Sequence, residues 1–264
     1  MRNPLNPLDL SPCSRTHPLA FDPILVASRS DESALAGLIA ALRAWEPRLD
    51  LFVSNDDSTL FEPDGTLYAV CLSESNLRFR HRVGVVRMGD ALIVPQGVAV
   101  EADPGLDYVG IRHEGIPPYH FRERFIQSRG FEHVEAPTGN SIRVEPIIPF
   151  RDARYRMSYA RIAASGSSLD VLDVGLDAQL VVVYAGDGRV TCGDEPDGLE
   201  LTSDSLALIP AGLSYQIEGN LVAICLRLEP ELTYEARRMT ESAAKGPAWS
   251  PEHDPAHFKR LLEE

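Results

Sequence analysis

Short apolar runs separated by polar turns occupy most of this chain. Residues 50–112 and 155–228 alternate between apolar segments and clusters rich in Gly, Pro, Asp and Asn. Short strands at such spacing are typical of β-sandwiches and β-barrels. The pattern therefore predicts an all-β chain with a few helices.

Two stretches repeat one pattern without a gap. Residues 89–112 read GDALIVPQGVAVEADPGLDYVGIR, and residues 204–227 read DSLALIPAGLSYQIEGNLVAICLR. The prolines Pro95 and Pro210 are 115 positions apart (210 − 95 = 115). In each copy an apolar run ends at a Pro-x-Gly turn, where the fixed φ of proline and the freedom of glycine favour a reversal. The repeat predicts a duplicated β domain.

The repeated pattern resembles the second motif of the cupins, G-x5-P-x-G-x2-H-x3-N. The matching positions are Gly89, Pro95 and Gly97 in the first copy and Pro210 and Gly212 in the second, where Asp204 replaces the first glycine. The resemblance implies a bicupin, which is a chain with two cupin-type β jelly-roll barrels. The domains expected from it are an N-terminal arm and helix (1–48), a first barrel (49–112), a linker with a helix (113–150), a second barrel (151–230) and C-terminal helices (231–264).

The residues that bind metal in cupins are replaced here. Val100 and Tyr215 stand at the histidine position of the two copies, and Gln179 stands at the glutamate position of the family's first motif. Cupin metal sites need imidazoles and a carboxylate that converge inside the barrel. The resemblance therefore implies the fold without its usual metal site, and we expect no cofactor.

Tyr215 and Gln179 are the candidate ligand-binding residues. A phenol at the metal-ligand position would point into the second barrel, close to Gln179 on the inner face, and could hydrogen-bond a small molecule. The alternative interpretation is a buried tyrosine whose hydroxyl is satisfied by Gln179 or by the backbone.

A metal site elsewhere is a second hypothesis. His113, His120, Glu123 and His133 offer imidazole and carboxylate ligands for Fe, Mn, Ni or Zn. With such a metal, the chain would be an isomerase or dioxygenase acting on a sugar or a phenolic acid. Because their spacing matches no known ligand signature, linker residues engaged with neighbouring arginines are the alternative.

One helix and one turn are predicted outside the repeat. Leu35, Leu38 and Leu42 recur at helical spacing between residues 30 and 45, with Ser30 as a possible N-cap. The apolar stripe of this helix should cover one side of the first barrel. The segment Gly186 to Gly188, GDG, has the composition of a hairpin turn.

Composition restricts the partners. The net charge of −14 disfavours nucleic acid and anionic membranes. No apolar run reaches the ~18 residues of a membrane span, and the N-terminus lacks the apolar segment of a signal peptide. Cys71 and Cys225 lie in apolar runs, as buried free thiols do. We expect a cytoplasmic cupin-like protein that binds a small molecule or has a structural or regulatory role, and the family resemblance implies a homodimer.

Overall fold

The structure, a computed structural model, describes residues 24–54, 60–61, 64–79, 82–114, 141–148, 157–166, 172–173, 177–192 and 198–229. These residues form sixteen strands and one helix, which confirms the predicted all-β class. The elements are β1 (Leu25–Ser28), α1 (Glu32–Trp45), β2 (Leu49–Ser54), β3 (Leu60–Phe61), β4 (Thr66–Cys71), β5 (Ser75–Phe79), β6 (Arg82–Val86), β7 (Ala91–Val94), β8 (Val100–Ala102), β9 (Tyr108–His113), β10 (Ser141–Ile148), β11 (Met157–Ser165), β12 (Leu172–Asp173), β13 (Ala178–Cys192), β14 (Leu199–Leu201), β15 (Ser205–Ile209) and β16 (Ser214–Leu228).

Strands β2 to β9 form a first β unit (residues 49–113) of two four-stranded sheets. Their strand orders are β2-β9-β4-β7 and β3-β8-β5-β6. Alternate residues of β4 point to opposite sides of its sheet, as the period of two requires. Leu67 and Ala69 join an apolar core with residues of β5, β7 and β8, and this core is the interior of the first unit.

Strands β11 to β16 form a second β unit (residues 157–228). Its order β15-β13-β16-β11 repeats the order β7-β4-β9-β2 of the first unit. The topology therefore agrees with the duplication that the sequence predicts. The two-barrel organisation and its domain boundaries remain predictions.

The second unit differs in the continuity of its strands. Strands β13 and β16 each run for 15 residues, whereas the first unit has the separate strands β4 and β5, and β8 and β9, at the corresponding places. The predicted turn at residues 186–188 is wrong, because β13 continues through it. Gly186 permits this with a φ of 78°, next to a register shift between Val183 and Ala185.

The N-terminal part of the described chain connects the two units. Strand β1 pairs with β15 of the second unit, and helix α1 then leads to β2 of the first. The helix prediction is confirmed, but the N-cap is Asp31 rather than Ser30. The carboxylate of Asp31 accepts hydrogen bonds from the backbone N–H groups of Ser33 and Ala34, each at 3.0 Å.

A shared core lies between the two units. It contains Tyr68 and Val70 from the outer face of β4, Leu42 from α1, and Leu180 from β13. The hydroxyl of Tyr159, on β11, donates to the carbonyl oxygen of Leu92 at 3.3 Å. Because this core draws on both units and on the helix, α1 covers the junction and not one side of a single barrel.

Two further observations concern the predicted linker and the membrane. Residues 141–148, placed in the linker by the sequence, form strand β10 and pair with β11. In the described part of the chain, no helix has the length and hydropathy of a membrane span.

Candidate functional site

The candidate site lies in the interior of the second unit. Strand β13 directs Gln179, Val181 and Val183 to one face, and β16 contributes Tyr215 and Cys225 to the same interior. The surrounding side chains are aliphatic and buried, and they include Ile162, Val190, Ala207, Ile209, Ile217 and Ala223. The polar residues Gln179 and Tyr215 are 4% and 2% exposed. The structure thus brings both predicted ligand-binding residues together.

Gln179, Tyr215 and Cys225 form an interior polar cluster. The hydroxyl of Tyr215 donates to Oε1 of Gln179 at 2.7 Å, and the thiol of Cys225 donates to the same oxygen at 2.9 Å. A carbonyl oxygen has two lone pairs, so one amide oxygen can accept both hydrogen bonds. The contact between Tyr215 and Gln179 is the one proposed in the alternative interpretation, and a ligand-binding role for these residues remains a prediction.

The cluster is uncharged at neutral pH. Burial raises the pKa of Tyr215 well above its usual value, and the neighbouring Cys225 raises it further, against the opposing charge of Arg227. Burial also raises the pKa of Cys225 to about 12, again against the charge of Arg227. The protonated groups keep the hydrogen bonds to Gln179 and avoid a charge in an aliphatic interior.

One end of β13 and β16 carries charged residues beside this interior. Along β13, Val181 is fully buried and Gln179 is 4% exposed. The residue paired with Gln179 is Arg227, whose side chain is 26% exposed, and Arg227 Nη2 lies 3.6 Å from Oδ2 of the buried Asp177. Gln179 of the cluster therefore lies next to this charged end.

The first unit has hydrocarbon at the corresponding positions. Strand pairing identifies them, because Leu67 pairs with Arg112 and Val94 as Gln179 pairs with Arg227 and Ile209. The repeat spacing of 115 adds the other two correspondences (215 − 100 = 115; 225 − 110 = 115). The three residues of the first unit are Leu67, Val100 and Gly110.

The residues at the motif positions do not fit the metal that cupins usually hold. Val100, Tyr215 and Gln179 supply an aliphatic group, a phenol and an amide, whereas such a site needs imidazoles and a carboxylate. Within the described ranges, no group of three or more His, Cys, Asp or Glu side chains could hold a metal ion.

Of the alternative metal ligands, only His113 is described. It ends β9, is 7% exposed, and shares the face of Val109 and Ile111, which belongs to the shared core. His113 therefore does not face the interior of the first unit. His120, Glu123 and His133 lie outside the described residues.

Sequence reasoning missed two residues of the site. Cys225 was predicted as a buried apolar thiol, and it is buried, but it also donates to Gln179. Arg227 lies 115 positions after Arg112 in the repeat, and the repeat alone assigns it no role (227 − 112 = 115). The signal for both was available, since Cys225 and Arg227 share the alternation of a strand whose other face is continuously apolar.

Comparison with known proteins supports the fold. No family model and no curated protein sequence matches the chain. Among solved structures, the putative glyoxylate-induced protein of Pseudomonas aeruginosa has a TM-score of 0.52 at 11% identity, over 78% of this chain and 89% of that chain. Protein Ylba of E. coli has a TM-score of 0.50 at 8% identity, over 69% and 83%.

A cupin 2 conserved barrel domain protein of Leptotrichia buccalis also matches, at 16% identity and a TM-score of 0.47, over 69% of this chain and 83% of that chain. At these identities the likeness concerns the fold and does not extend to activity. The likeness to the first two structures, together with the repeated motif around Pro95 and Pro210, supports a cupin-like fold for this chain.

Proposed function

We propose that the protein is a cupin-fold small-molecule-binding protein that works without the family's usual metal site. Its ligand contacts Tyr215 and Gln179 in the interior of the second unit. The observation that carries the proposal is the interior polar cluster, which stands where the first unit has only hydrocarbon.

The energetics favour a role beyond packing. Burying a hydroxyl or an amide costs about 1–3 kcal/mol unless it is hydrogen-bonded, and the net gain from one such bond is only about 1 kcal/mol. Leu67, Val100 and Gly110 show that this fold can close its interior without polar groups. A polar cluster that the fold does not require and that adds little to stability is therefore a candidate for ligand binding.

The test is native mass spectrometry of the full chain after incubation with a metabolite extract. We expect the unmodified protein to retain a small molecule and Tyr215→Phe to lose it. Tyr159→Phe is the matched control, because it also removes a buried, hydrogen-bonded tyrosine hydroxyl but lies in the shared core. The proposal would be contradicted if the unmodified protein retained no small molecule, or if it and both variants retained one equally.

A structural or regulatory role is the second candidate. It is favoured by the internal pairing of the cluster, since both donors are already satisfied by Gln179. In that case Tyr215→Phe would lower stability without changing any retained ligand. The same mass spectra, together with thermal unfolding of the two variants, separate the candidates.

The metal-dependent alternative makes a different prediction. An isomerase or dioxygenase built on His113, His120, Glu123 and His133 would carry about one metal ion per chain. Inductively coupled plasma mass spectrometry of protein purified without chelator measures this content. Stoichiometric metal that disappears in His120→Ala would overturn our proposal.

As a further part of the proposal, the protein is a homodimer, as its resemblance to the cupins implies. Multi-angle light scattering of the full chain tests this, and the mass of a single 29.0 kDa chain would remove it.

A further inference from the structure

A polar groove lies on the outer face of the second unit. It has a volume of about 530 Å³ and is formed by the second half of β13, by β14 and by the first half of β16. Val190 and Ile217 face the interior core. Because successive side chains of a strand alternate, Arg189 and Glu218 point to the outer face. The residues that line this outer groove include Gly166, Asp187, Arg189, Glu200, Thr202 and Glu218.

Three charged residues form one row across the outer groove. Arg189 pairs with Glu200 of β14 on one side and with Glu218 of β16 on the other. Cross-strand neighbours of opposite charge usually interact, because their Cβ atoms lie only about 5 Å apart. In the part of the chain that the structure describes, however, none of these three side chains makes an ion pair or a hydrogen bond. The row therefore presents a donor-only guanidinium between two acceptor-only carboxylates.

The first unit satisfies its polar groups at the corresponding positions. The repeat spacing relates Asp103 to Glu218 (218 − 103 = 115), and the strand pairing relates Asn76 to Arg189. Nδ2 of Asn76 donates to Oδ2 of Asp103 at 2.6 Å, and Nη2 of Arg78 donates to Oδ1 of the same carboxylate at 2.9 Å. The outer face of this fold can therefore pair its polar groups internally, and the second unit does not do so.

The row of charges selects one class of ligand. A simple anion would pair with Arg189 but meet a carboxylate on either side, and a simple cation would meet the guanidinium. A ligand with hydroxyl groups alone gains little, because each hydrogen bond at an open groove replaces one to water. Charge-assisted hydrogen bonds are about twice as strong, and a guanidinium binds a carboxylate through two of them. A molecule with both an ammonium group and a carboxylate satisfies the whole row.

We propose that the outer groove binds a compact zwitterion of the chemical class of the α-amino acids. The carboxylate of the ligand pairs with Arg189, and its ammonium group pairs with Glu200 or Glu218. The close spacing of the row favours a ligand whose two charged groups are near each other. The outer groove contains none of the residues of the interior polar cluster, so this inference does not depend on the function proposed above.

Four probes of nearly equal size test the inference on the unmodified full chain. L-Alanine carries both charges, L-alaninamide carries only the ammonium group, L-lactate carries only the carboxylate, and L-lactamide carries neither. Ligand-observed NMR at low ionic strength and about pH 7 gives their affinities. We expect alanine to bind about tenfold or more tightly than each of the other three, because each of them lacks at least one charge-assisted interaction.

Charge-removing variants then locate the binding. Arg189→Gln should weaken alanine about tenfold and leave alaninamide no weaker, because only the carboxylate loses its partner. The double variant Glu200→Gln, Glu218→Gln should remove the preference for alanine over lactate. Glu101→Gln is the matched control, since it removes an exposed carboxylate from β8 of the first unit, and it should change neither affinity. Thermal unfolding of each variant checks that it folds.

The outcomes bear on this groove alone. The inference would be overturned if alanine did not bind, or if lactate or alaninamide bound as tightly as alanine. It would also fall if Glu101→Gln weakened alanine as much as the groove variants do. Tyr215→Phe should leave alanine binding unchanged, so failure here does not affect the proposed interior site, and failure of that site does not affect the groove.

Discussion

The two β units close the same kind of interior with different chemistry. The first unit uses Leu67, Val100 and Gly110, whereas the second uses Gln179, Tyr215 and Cys225 at the corresponding positions. In the first unit a Cβ atom on Gly110 would lie 2.7 Å from Cδ1 of Leu67, so hydrocarbon already fills that space. This fold therefore does not need polar groups at these positions. The requirements of the fold therefore do not explain the polar cluster of the second unit.

The units also differ in the continuity of their strands. The first unit breaks its strands at turns, and the second keeps β13 and β16 continuous. The continuous strands depend on glycine at positive φ. A Cβ atom on Gly186, at φ 78°, would lie 1.9 Å from the backbone oxygen of Asn220.

The largest effect on stability is expected from Gly186→Ala, which disrupts the continuity of β13. The new methyl group meets backbone and not a flexible side chain, so β13 and β16 must separate locally. We expect a loss of about 3–5 kcal/mol in the free energy of unfolding, measured by urea denaturation.

Gly212→Ala is the matched control. Gly212 also has a positive φ, 80°, but nothing lies within 4 Å of the position of its Cβ. This variant should cost only about 1 kcal/mol, the strain of a non-glycine residue in that conformation. Equal losses in the two variants would show that the close approach of β13 and β16 is not what requires glycine.

The sequence predicted the correspondence between the units but not every difference. A constant spacing of 115 identifies Val100 with Tyr215, because the repeat has no gap between Pro95 and Arg112. The residue equivalent to Gln179 needed the structure. Leu67 lies 112 positions before Gln179 (179 − 67 = 112), whereas the repeated motif has a spacing of 115. The spacing between the copies therefore differs between β4 and the motif that follows it.

The pairing of a strand with a distant segment could also not be predicted from the sequence. Strand β1 has four residues and completes its hydrogen bonds with β15, some 180 residues later. Local pattern carries no information about such a partner. For the same reason the sequence predicts a turn at the GDG segment. Its residues favour turns, and only the pairing of β13 with β16 keeps them in a strand.

An intermediate effect is expected from exchanging residues between the interiors. Gln179→Leu gives the second unit the residue of the first and removes the acceptor of two hydrogen bonds. The hydroxyl of Tyr215 and the thiol of Cys225 would then be buried without their hydrogen-bond acceptor. We expect a loss of about 2–3 kcal/mol in the free energy of unfolding.

A double-mutant cycle sharpens this test. Adding Tyr215→Phe to Gln179→Leu removes the stranded hydroxyl, so the double variant should lose about 1–2 kcal/mol less than the sum of the single variants. The reverse exchange, Leu67→Gln, places an amide in the hydrocarbon interior of the first unit and should cost about 2–3 kcal/mol. Strict additivity in the cycle would mean that the cluster does not act as a unit.

The smallest effect concerns the junction, where position 204 again distinguishes the copies. Gly89 of the first unit corresponds to Asp204 of the second (204 − 89 = 115), and Asp204 Oδ1 lies 3.2 Å from Nε of Arg29. Nη1 of the same arginine lies 2.7 Å from Oδ2 of Asp107 in the first unit. Arg29 therefore connects the two units through one carboxylate from each.

This connection predicts a weak dependence of stability on acid. Burial alone would raise the pKa of Asp204, but hydrogen bonds from Ser28 and Ser30 and the charge of Arg29 hold that pKa below its usual value. A carboxyl whose pKa is lowered by folding stabilises the protein above its unfolded pKa of about 3.9, and that contribution is lost as the pH falls through the lower folded value. We expect the melting temperature of the unmodified protein to fall more steeply below about pH 4 than that of Asp204→Asn, with a small difference because the carboxylate is partly exposed. Parallel curves for the two proteins would show that the second unit gains nothing from a charge where the first unit has glycine.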